Sequence, residues 1–110
     1  MKVNGRTTVG KFKSMFKDEF GVGVRVYHGV NFAKDNATLA SIRAGEPKKK
    51  SDDFEIHAFT KVGNAEKAFK DAFAVKIQIE NKEGELADDK ATLASLKLQG
   101  IKKFISSIFK

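Results

Sequence analysis

No cysteine occurs in the chain, which excludes disulfide bonds, thiolate metal ligands and cysteine nucleophiles. Tryptophan is also absent, and proline and tyrosine occur once each. No apolar run approaches the roughly 18 residues that a bilayer-spanning helix needs. The opening MKVNGRTTVG lacks the apolar stretch of a secretory signal, so a cytoplasmic protein is expected. No Ser or Thr stands in a nucleophile elbow, and no glycine-rich phosphate loop is present. Gly21-Val22-Gly23 is a bare G-x-G between a helix and a strand, the wrong polarity for cradling phosphate. These gaps predict a non-enzymatic protein with no cofactor and no small-molecule substrate.

Metal-ligating residues are equally sparse. His28 ends a strand and His57 lies on the outward side of another. Neither belongs to a His-x-x-His or Glu-x-x-His pair, whereas a zinc site needs three or four converging ligands. Both read as surface histidines. Asp52-Asp53 and Asp88-Asp89 are paired carboxylates, but the D-x-D-x-D-G order with a distal Glu is missing. Asp89 reads as a helix cap, like Asp35.

What is present is a repeat. Residues 7–44 align with residues 60–98 after one insertion near Glu83, and 15 of the 38 aligned positions are identical. They include Gly10/Gly63, Phe16/Phe69, Phe20/Phe73, Asp35/Asp89 and two ATLAS blocks at 37–41 and 91–95. An internal repeat constrains architecture before any local reading. At 110 residues and 41% apolar, one small domain with a real core is expected. Its parts are repeat 1 at 1–45, a linker at 46–53, repeat 2 at 54–99 and a tail at 100–110.

Each unit opens with a short alternation, Met1/Val3/Gly5 or Phe54/Ile56/Ala58, that predicts a half-buried strand. Thr then caps a helix whose apolar stripe is Val9, Phe12, Met15, Phe16 and Phe20, or Val62, Ala65, Ala68, Phe69 and Phe73. Gly21 suits a left-handed helix end; Ala74 suits it less, so a different geometry is expected there. A second strand follows, with Val22, Val24 and Val26 inward against Arg25 and Tyr27, or Val75, Ile77 and Ile79 inward against Lys76, Gln78 and Glu80. Asp35 or Asp89 is then expected to cap short helical turns that point Leu39/Ile42 and Leu93/Leu96 inward. The tail places Ile101, Phe104, Ile105, Ile108 and Phe109 on one stripe, which predicts an amphipathic helix with no counterpart in repeat 1.

The order β-α-β, β-α-β predicts an α+β fold: a duplicated βαβ forming a ferredoxin-like four-stranded antiparallel sheet. Two main helices would lie on one face, with short extra helices and the amphipathic C-terminal helix. In residues 8–42 a helix is followed by V-R-V-Y-H-G and N-F-A-x-D-x-A-T-L-A-S-I. This resembles the middle of a ubiquitin-like β-grasp domain and implies β-grasp half-units as the alternative. The whole unit also resembles small uncharacterised bacterial proteins that carry an ATLAS-type block, a resemblance that implies no particular activity.

Net charge is +7, and all of it lies in residues 1–50, where 11 Lys/Arg face 4 Asp/Glu. Residues 51–110 hold 10 of each. The candidate anion or nucleic-acid surface is therefore Arg6, Lys11, Lys13, Arg25, Tyr27, Lys34, Arg43, Lys48, Lys49 and Lys50. An aromatic flanked by cations on an open sheet can stack a base while the cations hold phosphates. The expected function is protein–protein interaction, with a partner or in a homodimer, through the open sheet face or the C-terminal helix. Nucleic-acid binding by repeat 1 is the first alternative. Contact of the C-terminal helix with a membrane surface is the second.

Overall fold

The computed structural model describes residues 1–48 and 54–98. Lys49, Lys50 and the C-terminal stripe of Ile101, Phe104, Ile105, Ile108 and Phe109 lie outside the described residues. The described elements are β1 (Lys2–Val3), α1 (Val9–Phe20), β2 (Val24–His28), β3 (Asn31–Phe32), a 3-10 helix (Ala40–Ile42), β4 (Phe54–Glu55), α2 (Val62–Phe73) and β5 (Ile77–Ile79). Residues 93–98 are also helical.

The α+β composition matches expectation; the sheet does not. The strands form two antiparallel sheets, β1-β4 and β3-β2-β5, instead of a single four-stranded one. A ferredoxin-like order puts the second strand of each unit at opposite edges. Here those strands pair directly, Val24 opposite Ile79, Arg25 opposite Gln78 and Val26 opposite Ile77. Among the described residues the first strands pair only with each other, Lys2 opposite Glu55 and Val3 opposite Phe54. Two residues each are too few to join the other sheet, because the chain already turns at Asn4, whose carbonyl accepts the Thr7 N–H at 3.0 Å. The β-grasp alternative needs a hairpin before its helix, and β1 has no partner within its own half.

The helical stripes bury as their spacing requires. Val9, Phe12, Phe16 and Phe20 are inside on α1, and Val62, Ala65, Phe69, Ala72 and Phe73 on α2. Met15 and Ala68 are half-buried. The two helices meet at Phe12 and Phe69, with ring centroids 4.9 Å apart, and Phe54 sets its edge against Phe69 and Phe73. Each fully buried Phe contributes about 1.5–3 kcal/mol of transfer free energy.

The two halves make the same hydrogen bonds at aligned positions. Val9 N–H reaches Ala37 O and Val62 N–H reaches Ala91 O, both at 2.8 Å. Gly10 N–H reaches Asp35 O at 2.9 Å and Gly63 N–H reaches Asp89 O at 3.0 Å. A Cβ on either glycine would lie 3.1 Å from the Asp Cβ, so a side chain there would require the ATLAS-side turn to give way slightly.

The expected Thr cap is present on α1 and absent on α2, and two further local expectations change. The residue capping α1 is Thr8, whose Oγ1 accepts the Lys11 N–H at 3.2 Å, and α2 is capped by Lys61 with no side-chain bond. Thr7 and Thr60 stand one residue earlier and offer their carbonyls to Leu39 and Leu93. Asp35 and Asp89 do not cap. Thr38 and Thr92 brace the turns instead, their hydroxyls accepting the N–H of Ser41 at 3.3 Å and of Ser95 at 3.1 Å. Ala74 adopts the same left-handed conformation as Gly21, with φ of 55° against 71°. Both residues donate back to a lysine carbonyl at 2.8 Å, so the two helix ends are alike.

Candidate functional site

Among the described residues, two of the exposed large apolar side chains adjoin at the β2–β3 hairpin. Val30 is 95% exposed at the tip and Phe32 68% exposed on β3, an edge strand of the three-stranded sheet. The strand register sets Phe32 opposite Tyr27, and their rings stack with centroids 5.2 Å apart. Lys76 Nζ sits 5.4 Å from the Tyr27 centroid on the same face, within cation–π range. Below the tip a concavity of about 680 Å³ is lined by His28, Val30, Phe32, Lys34, Ala37 and Ile42, among others. Phe59 is also 85% exposed, but in the turn before α2.

Next to this patch, Arg25 and Tyr27 are both engaged. Arg25 Nε donates to Glu80 Oε2 at 3.0 Å and its Nη2 to Gly84 O at 3.1 Å. The Glu80 hydrogen bond holds the guanidinium above its ordinary pKa, against a smaller opposing effect of burial. The Tyr27 hydroxyl donates to Gln78. Arg25 is therefore a cross-strand tie between the halves, with its charge offset by Glu80, and is not a free phosphate ligand.

The other sequence-selected cations do not converge. Lys13 pairs with Asp35 at 3.1 Å beside α1. Lys34 lines the hairpin concavity, while Lys48 lines a separate depression with Lys67 and Lys70. Arg6, Lys11 and Arg43 are exposed, and Arg43 lies near Gly5. Among the described residues no three His, Cys, Asp or Glu side chains converge as a metal site, and no helix is long and apolar enough to cross a membrane.

Two further depressions occupy equivalent places in the two halves. The first, about 610 Å³, is lined by Gly10, Lys13, Ser14, Lys17, Gly23 and Val24 together with Asp18, Asp35 and Glu80. The second, about 360 Å³, uses the aligned Gly63, Glu66, Lys67, Lys70, Lys76, Ile77 and Asp89, with Gln78. In the second, Glu66 reaches the strand edge and its Oε2 accepts the Ile79 N–H at 2.8 Å. Desolvation raises the Glu66 pKa, and the Ile79 hydrogen bond partly opposes this.

The alternation of β2 puts Arg25 and Tyr27 on one face, but nothing in it points to Phe32 as their neighbour. The available signal was Gly29 two residues before an Asn-Phe pair. A glycine with φ of 65° closes a tight hairpin and brings Phe32 back onto Tyr27. Glu66 was missed because its role shows only against Lys13, its partner in the alignment. No protein-family model, curated protein or solved structure matches the chain.

Proposed function

We propose that the protein is a non-enzymatic interaction module, built from two copies of one unit, that binds a protein partner through the β2–β3 hairpin. The observation that carries this reading is the exposure of Val30 and Phe32, at 95% and 68%, next to a concavity beside an edge strand. Apolar side chains at a sheet edge are a liability that soluble proteins usually cover with charge or another element. Two adjacent ones beside a depression are what a partner's apolar anchor requires. The shared hydrogen bonds and glycines build the scaffold in both halves. The hairpin tip is particular to the first half, whose counterpart turn carries Lys82, Glu83 and Gly84.

A photoreactive residue at position 30 tests this in cells. Discrete adducts with a protein, or with a second copy of the chain, are expected from position 30 and not from position 61 on the far helix start. Equal labelling from both positions would contradict the reading.

A second reading, single-stranded nucleic-acid binding, is favoured by one observation. The Tyr27–Phe32 stack has Lys76 beside it, which gives a two-ring platform with a cation on an open face.

A further inference from the structure

The three-stranded sheet is flanked alike on both sides. Ala33 N–H reaches Val26 O and the aligned Ala87 N–H reaches Ile79 O, both at 2.9 Å. Phe32 then lies opposite Tyr27, and the aligned Leu86 lies opposite Glu80 on the far side of β5. In an antiparallel ladder, bonded pairs alternate with pairs whose N–H and C=O point away from each other. Phe32 and Leu86 are of the second kind, so each turns a backbone donor and acceptor outward, at opposite edges. Their side chains share one face. Glu80, opposite Leu86, bonds to Arg25, which stands two residues from Tyr27 on β2. Both Phe32 and Leu86 are exposed. The two edges differ in charge. Residues 28–34 carry Lys34 and no carboxylate, whereas residues 81–88 carry Lys82 against Glu83, Glu85 and Asp88. The concavity beside the first edge likewise has no carboxylate in its lining.

We infer that the partner at the hairpin is a second copy of this chain, presented by its opposite edge, with Phe32 of one copy antiparallel to Leu86 of the next. The inference rests on the hairpin reading and names its occupant. The two residues exchange both outward bonds, N–H to C=O in each direction, and set an exposed ring against an exposed Leu on one face. Charge selects this pairing. Two first edges would bring Lys34 against Lys34, and two second edges would bring carboxylates together; only unlike edges attract. Charge on an edge strand ordinarily holds copies apart. Opposite signs on the two edges make it a selector instead. The contact is heterologous, so the copy at each end of an assembly keeps one unpaired edge and chains can grow.

The test is sedimentation velocity of the full chain at rising concentration and low salt. Species larger than a dimer are expected, and added salt should disperse them. Val30→Ser with Phe32→Ser spoils the first edge and keeps the second. Alone it should stay monomeric; in excess it should cap native chains and lower their mass. A symmetric hairpin-to-hairpin dimer predicts that the double variant leaves the native mass unchanged, and that result overturns the inference. Lys34→Glu and Glu85→Lys should each weaken assembly about fivefold. Their equimolar mixture should recover a native-strength contact, because it joins the intact Lys34 edge of one variant to the intact Glu85 edge of the other. No recovery overturns the inference. A native chain that stays monomeric while position 30 still yields adducts with a different protein overturns the second copy and leaves the hairpin reading standing. Assemblies formed equally by the double variant overturn both.

Discussion

Phe12 and Phe69 meet between the two helices with ring centroids 4.9 Å apart, although they are not aligned residues of the two halves. Phe69 aligns with Phe16, and Phe12 aligns with Ala65, which is 3% exposed. One half brings a ring where the other brings a methyl group, so the shared core is complementary rather than symmetric. Phe12→Ala should cost about 3–5 kcal/mol. Chemical denaturation followed by far-ultraviolet circular dichroism checks this, and a single transition is expected because the lost contact belongs to both halves. Two separate transitions would mean that the halves fold independently.

The glycines opening the helices give a matched pair of predictions. At Gly10 an added Cβ would stand 3.2 Å from the Asp35 backbone oxygen, and at Gly63 3.4 Å from that of Asp89. Neither oxygen belongs to a flexible side-chain tip, so relief requires the turn to move. Gly10→Ala and Gly63→Ala should each destabilise by about 1–3 kcal/mol, with Gly10→Ala the larger. Gly29→Ala and Gly84→Ala meet no atom within 4 Å and act only through their left-handed φ values of 65° and 79°.

Glu66 sets a pH dependence. Its folded pKa is raised above the ordinary 4.5, mainly by desolvation. A carboxyl with a raised folded pKa contributes stability that is fully present below the unfolded value and lost as pH rises through the folded one. The difference in unfolding free energy between the wild type and Glu66→Gln should therefore move against the wild type as pH rises from 4 through and beyond 4.5. The amide keeps an acceptor for the Ile79 N–H, which isolates the charge. Urea titrations at several pH values measure this, and a difference that moves in favour of the wild type would contradict the desolvation account.

The nucleic-acid reading has its own expected outcome. A fluorescent single-stranded oligonucleotide should bind with affinity that falls steeply with salt. Phe32→Ala should weaken it by about 1–3 kcal/mol if the base stacks there. Arg25→Glu should act mainly by breaking the cross-strand tie to Glu80. Salt-independent or absent binding at low ionic strength would remove this reading.

Much of the scaffold was legible in the sequence. Phe stripes, strand alternation and the inward Leu39/Ile42 and Leu93/Leu96 pairs depend on local periodicity, which a single chain carries. Pairing of β2 with β5 was not legible, because register between distant strands is decided by packing that no short window encodes. The hydrogen bonds of Thr38 and Thr92 to Ser41 and Ser95 were hidden behind the stronger-looking Asp35 and Asp89, whose carbonyls are instead used by Gly10 and Gly63. On the candidate site, Tyr27 was visible but its neighbours were not. Phe32 comes from the next strand and Lys76 from the other half, and Arg25, chosen for its charge, is bound to Glu80.

The most direct test of the central claim is the yield of protein adducts from a photoreactive residue at position 34, compared between the native hairpin and Val30→Ser with Phe32→Ser. Val30 is exposed and Phe32 keeps only its stack on Tyr27, so the double variant should lose about 0.5–1.5 kcal/mol, remain folded, and lose the adducts. Adducts that persist undiminished in a folded double variant would contradict the hairpin as the binding surface.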